Sequence, residues 1–392
     1  MRVIRDLVTG FLVAGFLILA AVSCVEPFQP DIEESEGTLV VSGRITDSPG
    51  AHYVRVSRSS KLEEPEFIPV EGCVVRVQDR AGMEAIYTED TPGVYRADLD
   101  EDFLGVNRAY KLFIDTPEGA QYESAYDSLL TCPEPENLYF EVDSQPTADQ
   151  RVTYYGVQFY VDVKGDVNDS RNVMWQLEET YEYHANYLIS AIWDGVVLYE
   201  YEYPTDSLYI CYKTLDIDEI HVGSSGRLTS NELTKFPLTF VSNQSPRLKY
   251  KYSLLVRQHS LSDEAYRFWE QTRVQLTETG GFYETQPSTV PGNIRNIRDD
   301  SELVLGYFYA SQVKQKRLTF RCRFGFRTPV GQYCEVDTVQ HVEELALRFP
   351  YYLFSMAPMG IGPPYATSEP ECFDCRMRGG TTEPPDFWNE DE

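Results

Sequence analysis

Along most of the chain, apolar and polar positions alternate with period two in short runs. LVVSGRIT (39–46), HYVRVSRS (52–59), GCVVRVQD (72–79), EAIYTE (84–89), VYRADL (94–99), AYKLFIDT (109–116) and QYESAY (121–126) follow one another closely, with turn residues such as Asp47-Ser48-Pro49-Gly50 between them. Val54 and Val56 alternate with Arg55 and Ser57. Period two puts alternate side chains on opposite faces of a strand, so residues 38–130 are predicted to be an antiparallel β-sandwich of the Ig-like or transthyretin-like kind. Thr131-Cys132-Pro133-Glu134-Pro135 reads as the start of a linker over 131–137, leading to a second, larger β domain over 138–360. The fold class expected is mainly β: two antiparallel β-sandwich-like domains, the second with one amphipathic helix.

That helix is predicted over 262–278 (SDEAYRFWEQTRVQLTE). Ser262 can cap it, Asp263 and Glu264 suit its positive end, and Gly280-Gly281 stop it. Leu261, Ala265, Phe268, Trp269, Thr272 and Leu276 fall on one stripe, expected to pack on a sheet. A hairpin is signalled by Asp194-Gly195 between two apolar runs. With a two-residue turn, Trp193 should face Val196. Both faces near the tip are apolar. The pair is therefore either buried on both sides or exposes Trp193, Tyr199, Tyr201 and Tyr203 as a partner or ligand surface.

The N-terminus has a different pattern. Arg2 and Arg5 precede an almost wholly apolar run from Leu7 to Val22, followed by Ala21-Val22-Ser23-Cys24. A short basic start, an apolar stretch too short to span a bilayer comfortably and small residues before a cysteine predict a lipoprotein signal peptide over 1–23. Cys24 is the expected lipidation site, and 24–37 an acidic tether. Two or more acyl chains hold a protein stably on a membrane, so no transmembrane helix is required.

The chain has 392 residues, 42% hydrophobic, with 28 Tyr and 20 Phe. That is enough to fill ample cores and excludes general disorder. A net charge of −28 argues against nucleic acid and anionic lipid surfaces as partners. With one of 8 Cys given to lipid, an odd number remains, so at least one thiol stays unpaired or pairs between chains. Cys372-Phe373-Asp374-Cys375 is a lone CxxC in a Cys/Pro/Gly-rich tail (361–392). Neither a second CxxC nor a nearby His supports zinc, so a structural disulfide is the preferred reading. The Cys, Phe and Trp content of 371–388 predicts a tail that folds back on the second domain. Its disulfide would join Cys372 and Cys375 to each other, or one of them to Cys211, which ends the apolar run SLYIC.

No catalytic, metal or cofactor motif is evident. The five His form no HExxH or HxH arrangement, and Gly223-Ser224-Ser225-Gly226 is not a serine elbow. Asp162, Asp166, Asn168 and Asp169 lack calcium-loop spacing and read as an Asx-rich turn.

Several stretches together resemble DUF4249, a family of Bacteroidota lipoproteins. They are LVVSGRITD (39–47), YSLLVRQHSLSDEAYRFW (252–269), QPSTVPGNIRN (286–296), LGYFYASQVKQKR (305–317) and ECFDCRMRGGTTEPPDFW (371–388). The resemblance brings no catalytic residues. It implies genomic company with TonB-dependent outer-membrane receptors, and hence an accessory or binding lipoprotein of the outer membrane, on the cell surface or facing the periplasm. The alternatives are a hydrolase of polysaccharide or peptide, and an adhesin or structural surface protein. Two carboxylates roughly 5 to 9.5 Å apart in a cleft would mark a glycosidase.

Overall fold

The computed structural model of the protein describes residues 37–60, 66–147, 151–278, 290–328, 333–345, 350–356 and 364–389. The signal segment, Cys24 and the expected tether up to residue 36 lie outside them. The chain is mainly β, 54% strand with one α-helix, arranged in several sheets that include a nearly closed, barrel-like mixed sheet.

The mixed sheet holds the N-terminal strands. Each predicted run becomes one: Leu39–Thr46, Gly50–Arg58, Val74–Asp79, Glu84–Thr91, Val94–Leu99, Ala109–Asp115 and Gln121–Ser124. Alternation decides which side chains enter the barrel. Val54, Val56, Val75, Val77, Leu112 and Ile114 point inward and are almost fully buried, while their polar neighbours face out. Two further strands arrive from far along the chain. Ile294–Asn296 pairs antiparallel with Gln121–Ser124, and Val304–Ser311 pairs parallel with Leu39–Thr46. The sheet is therefore mixed rather than wholly antiparallel. Side chains lace its two ends. Asn293 Nδ2 donates to Phe308 O (2.7 Å), Asn293 Oδ1 accepts from Phe308 N (3.0 Å), and Asp127 Oδ2 accepts from Ala310 N (2.8 Å). Only glycine fits where the strands touch here: a Cβ on Gly306, at φ +92°, would lie 2.0 Å from Val41 O.

A three-stranded sheet (Glu134–Pro146, Thr153–Lys164, Glu232–Ser242) packs face to face on a four-stranded one (Ile210–Ser224, Asn172–His184, Lys251–Leu261, Val313–Arg321). Val157, Phe159, Val161 and Val163 from one meet Val173, Trp175, Leu177, Leu254 and Val256 from the other. The polar groups this core encloses are paired. Glu179 accepts from Arg247 Nη1 (3.1 Å) and from the Tyr252 hydroxyl (2.7 Å). Gln258 accepts from Trp175 Nε1 (2.8 Å) and donates to Pro133 O (2.8 Å). The segment expected as a linker thus carries the buried Cys132 and Pro133, and Glu134–Pro146 is strand.

The helix runs Asp263–Glu278, with Ser262 Oγ accepting from Ala265 N (3.1 Å). Leu261, Ala265, Phe268 and Trp269 pack with Met174 and Val222 of the four-stranded sheet and with Tyr307 and Tyr309 of the mixed sheet. Leu276, assigned to the same stripe by spacing, is exposed.

A five-stranded sheet completes the fold in the order Leu198–Thr205, Ile189–Trp193, Tyr351–Ser355, Tyr365–Thr367, Asp337–Val339. Its hairpin closes one step later than expected. Trp193 pairs with Leu198, not Val196, because Asp194 Oδ1 accepts from both Val196 N (2.8 Å) and Val197 N (2.7 Å) and makes Gly195-Val196 the turn centre.

Candidate functional site

The tail supplies one wall of the site. Residues Pro370–Cys372 and Cys375–Arg378 form two 3-10 turns, so the two thiols of the CxxC look in different directions. Cys375 bonds Cys211 and Cys372 bonds Cys334. The alternative in which Cys372 and Cys375 bond each other does not hold. Cys334 was not singled out from the sequence, where nothing near it marks a partner. Three cysteines remain unpaired among the described residues: Cys73, Cys132 and Cys322. Burial pushes the Cys132 and Cys322 thiols up to about 12, which suppresses thiolate chemistry there.

The Cys211–Cys375 bond ties the tail to the edge of the four-stranded sheet. Further contacts fix it in place. The Tyr183 hydroxyl donates to Cys375 O (2.7 Å), Lys213 Nζ donates to Arg378 O (3.1 Å), and Arg378 Nη2 donates to Asn186 Oδ1 (2.8 Å). Tyr212 and Thr381 exchange backbone hydrogen bonds. Phe373 and Trp388 are buried.

Between this tail, the sheet edge and the turn 246–250 lies a cleft of about 420 Å³, within the range of small-ligand sites. Tyr181, Tyr183 and His184 line it from one strand, Lys213 from its neighbour, Pro246, Lys249 and Tyr250 from the turn, and Glu371, Met377 and Arg378 from the tail. The His184 and Tyr250 rings stack with centroids 3.6 Å apart, and His184 Nε2 is held by Glu182 Oε1 at 2.8 Å. Lys249 Nζ lies over the Tyr250 ring at 5.1 Å. The Glu179–Arg247 ion pair anchors the turn that carries both residues. Burial raises the phenols of Tyr181, Tyr183 and Tyr250 above their ordinary range, so they stay protonated and able to donate. Such a lining can stack against a flat ring and hold an anion. Among the described residues no group of His, Cys, Asp and Glu is placed to hold a metal ion. Asp169 Oδ2 accepts from Asp166 N (2.8 Å) and Asp169 N donates to Asp166 O (3.2 Å), which closes a turn between two strands in place of the expected Asx turn.

The hairpin residues divide between two faces. Trp193 packs inward with Ala191, Val339 and Leu353. Tyr199 and Tyr201 are exposed on the opposite face of an edge strand, and Tyr203, also exposed, lies beyond a break in the register after Glu200. Trp193 therefore does not share their surface.

Sequence reasoning found Cys211, Cys372 and Cys375 but missed the cleft itself. Its only local trace is the run YEYH (181–184), where two tyrosines and a histidine fall within four residues at the end of one strand.

The family described as a domain of unknown function, DUF4249, matches residues 25–317. No curated protein matches the chain. Among solved structures, trypsin-activated alpha-2-macroglobulin from Escherichia coli is similar over 59% of this chain at 9% identity and a TM-score of 0.18; the chain spans 15% of that one. A likeness of that size carries no argument about fold or function.

Proposed function

The chain belongs to the DUF4249 family, a domain of unknown function, and from that premise we propose that it is an exported, lipid-anchored binding subunit of the outer membrane. In this reading residues 1–23 are removed, Cys24 carries the lipid, and 24–37 tether the β body. The protein works beside a TonB-dependent receptor in uptake or surface assembly. The observation that carries the binding role is the cleft: a disulfide-fixed wall, stacked aromatic rings and three cations meet in a chain whose net charge is −28. Two disulfides also suit an oxidising compartment outside the cytoplasm. No helix among the described residues is long and apolar enough to cross a membrane.

Two measurements test this. Flotation of cell membranes should carry the parent protein, whereas Cys24→Ser should release it to the soluble fraction. A Cys24→Ser protein that still floats removes the lipid from the proposal. Affinity purification of the tagged protein from its native outer membrane should bring a TonB-dependent receptor with it. Recovery of the protein without any receptor would sink the accessory role.

A further inference from the structure

We propose that the cleft between the tail and the four-stranded sheet binds an acidic saccharide, a pyranose carrying one carboxylate, through Lys213, Lys249 and Arg378 and against the wall made by Tyr181 and Tyr250. This rests on the binding role above and gives it a ligand class.

Acidic residues outnumber basic ones by 62 to 34, so a random patch of this surface would be negative. The cleft departs from that: three cations line it against one lining carboxylate, Glu371, which is itself partnered. Most other basic side chains near acids have found them, as Arg247 with Glu179, Arg257 with Glu178 and Lys235 with Glu141. Lys213, Lys249 and Arg378 form no ion pair among the described residues. Lys213 and Arg378 spend one hydrogen bond each on neutral oxygens, and Lys249 rests on a ring. The Arg378 Nε is buried with no partner.

A simple anion needs cations alone, yet Tyr181, Tyr183, Tyr250 and the stacked His184 make up much of the lining. Tyr183 is buried and gives its hydroxyl to Cys375 O, so Tyr181 and Tyr250, both half-buried, offer the apolar wall and the protonated phenols at its rim. A sugar ring matches this, with C–H groups on one face and hydroxyls around the edge. Glu371 suits a sugar hydroxyl as acceptor and disfavours a multiply charged phosphate. The field of a chain at −28 disfavours polyanions further, so the singly charged carboxylate is the better fit.

Isothermal titration of the full chain in detergent tests the idea, with methyl galacturonide, which carries one carboxylate, as the probe and methyl galactoside as the neutral control. The acidic sugar should bind at least about tenfold tighter, the worth of one charge-assisted hydrogen bond. Lys249→Gln should bring its affinity down to that of the neutral one without moving the melting temperature, since the substitution keeps the backbone hydrogen bond from Lys249 N to Pro246 O and the Lys249 side chain makes none among the described residues. Equal binding of both sugars, or indifference to Lys249→Gln, overturns the carboxylate. Binding of neither sugar overturns the saccharide. In each case receptor co-purification, read separately, shows whether the accessory role survives.

Discussion

Asp127 is the buried carboxyl with the clearest consequence. It is 4% exposed, and burial pushes it up to about 6 even though Ser262 and the Ala310 N–H favour its charged form. The folded state therefore holds this proton more tightly than the unfolded chain does. Its contribution to stability is full below about pH 4 and is lost as the pH rises through about 6, a change on the order of 3 kcal/mol. Burial drops His259 to about 3, which acts in the opposite sense by favouring the unfolded chain as the pH falls below about 6.5. Comparing the parent with Asp127→Asn cancels that histidine. The variant should lose the fall in stability between about pH 4 and 6, followed by denaturant titration at each pH. Parallel curves for the two proteins would show that the carboxyl does not titrate in that window.

At the level of the element, the tail is the segment whose removal should be felt most. Its turns are too short to stand alone, and they are held by burial of Phe373 and Trp388, by hydrogen bonds to Tyr183 and Lys213, and by two disulfides. The Cys211–Cys375 bond spans 164 residues, and closing so long a loop lowers the entropy of the unfolded chain by an amount worth about 5 kcal/mol on the chain-entropy model. Measured losses for native disulfides run to about 2–5 kcal/mol. The pair Cys211→Ala and Cys375→Ala should lower stability within that range, and truncation after Pro370 should lower it at least as much. If the truncated protein melts like the parent with and without reductant, the tail is not structural. The hairpin teaches a related point. Its register moved by two positions from the expected one, which preserves face parity next to the turn, so Tyr199 still lies on the side away from Trp193, while an irregularity after Glu200 breaks the alternation before Tyr203.

For the whole molecule, the decisive segment is 304–321. Val304–Ser311 lies in the mixed sheet beside Leu39–Thr46, and after Gln312 the chain continues as Val313–Arg321 beside Lys251–Leu261 in the sandwich. One stretch of backbone is thus shared by both bodies, and Ser260 N donates to Gln312 O (3.1 Å) at the crossing. Residues 38–130 alone would leave Leu39–Thr46 without its parallel neighbour and the barrel open along Asn293 and Phe308. The fragment 38–130 is therefore expected to be unfolded by far-UV circular dichroism, and to gain structure only when residues 290–312 are supplied. A folded fragment 38–130 would show that the returning strands decorate the sheet and are not required by it.

The strands of the N-terminal sheet and the Ser262-capped helix were legible because they depend on side-chain periodicity within a few residues. The excess of acid and the resemblance to the family were equally local matters of composition and motif. The pairing of Leu39 with Val304, the bond of Cys372 to Cys334 and the burial of Cys132 were not legible, since each is settled by which surfaces pack together well beyond any local window of sequence. The cleft belongs to this second class. Its lining comes from four separate stretches, at 181–184, 213, 246–250 and 371–378, and no window of sequence contains more than one of them. Alternation determines that a strand has two faces; only the packed sheets and the disulfides determine what those faces meet.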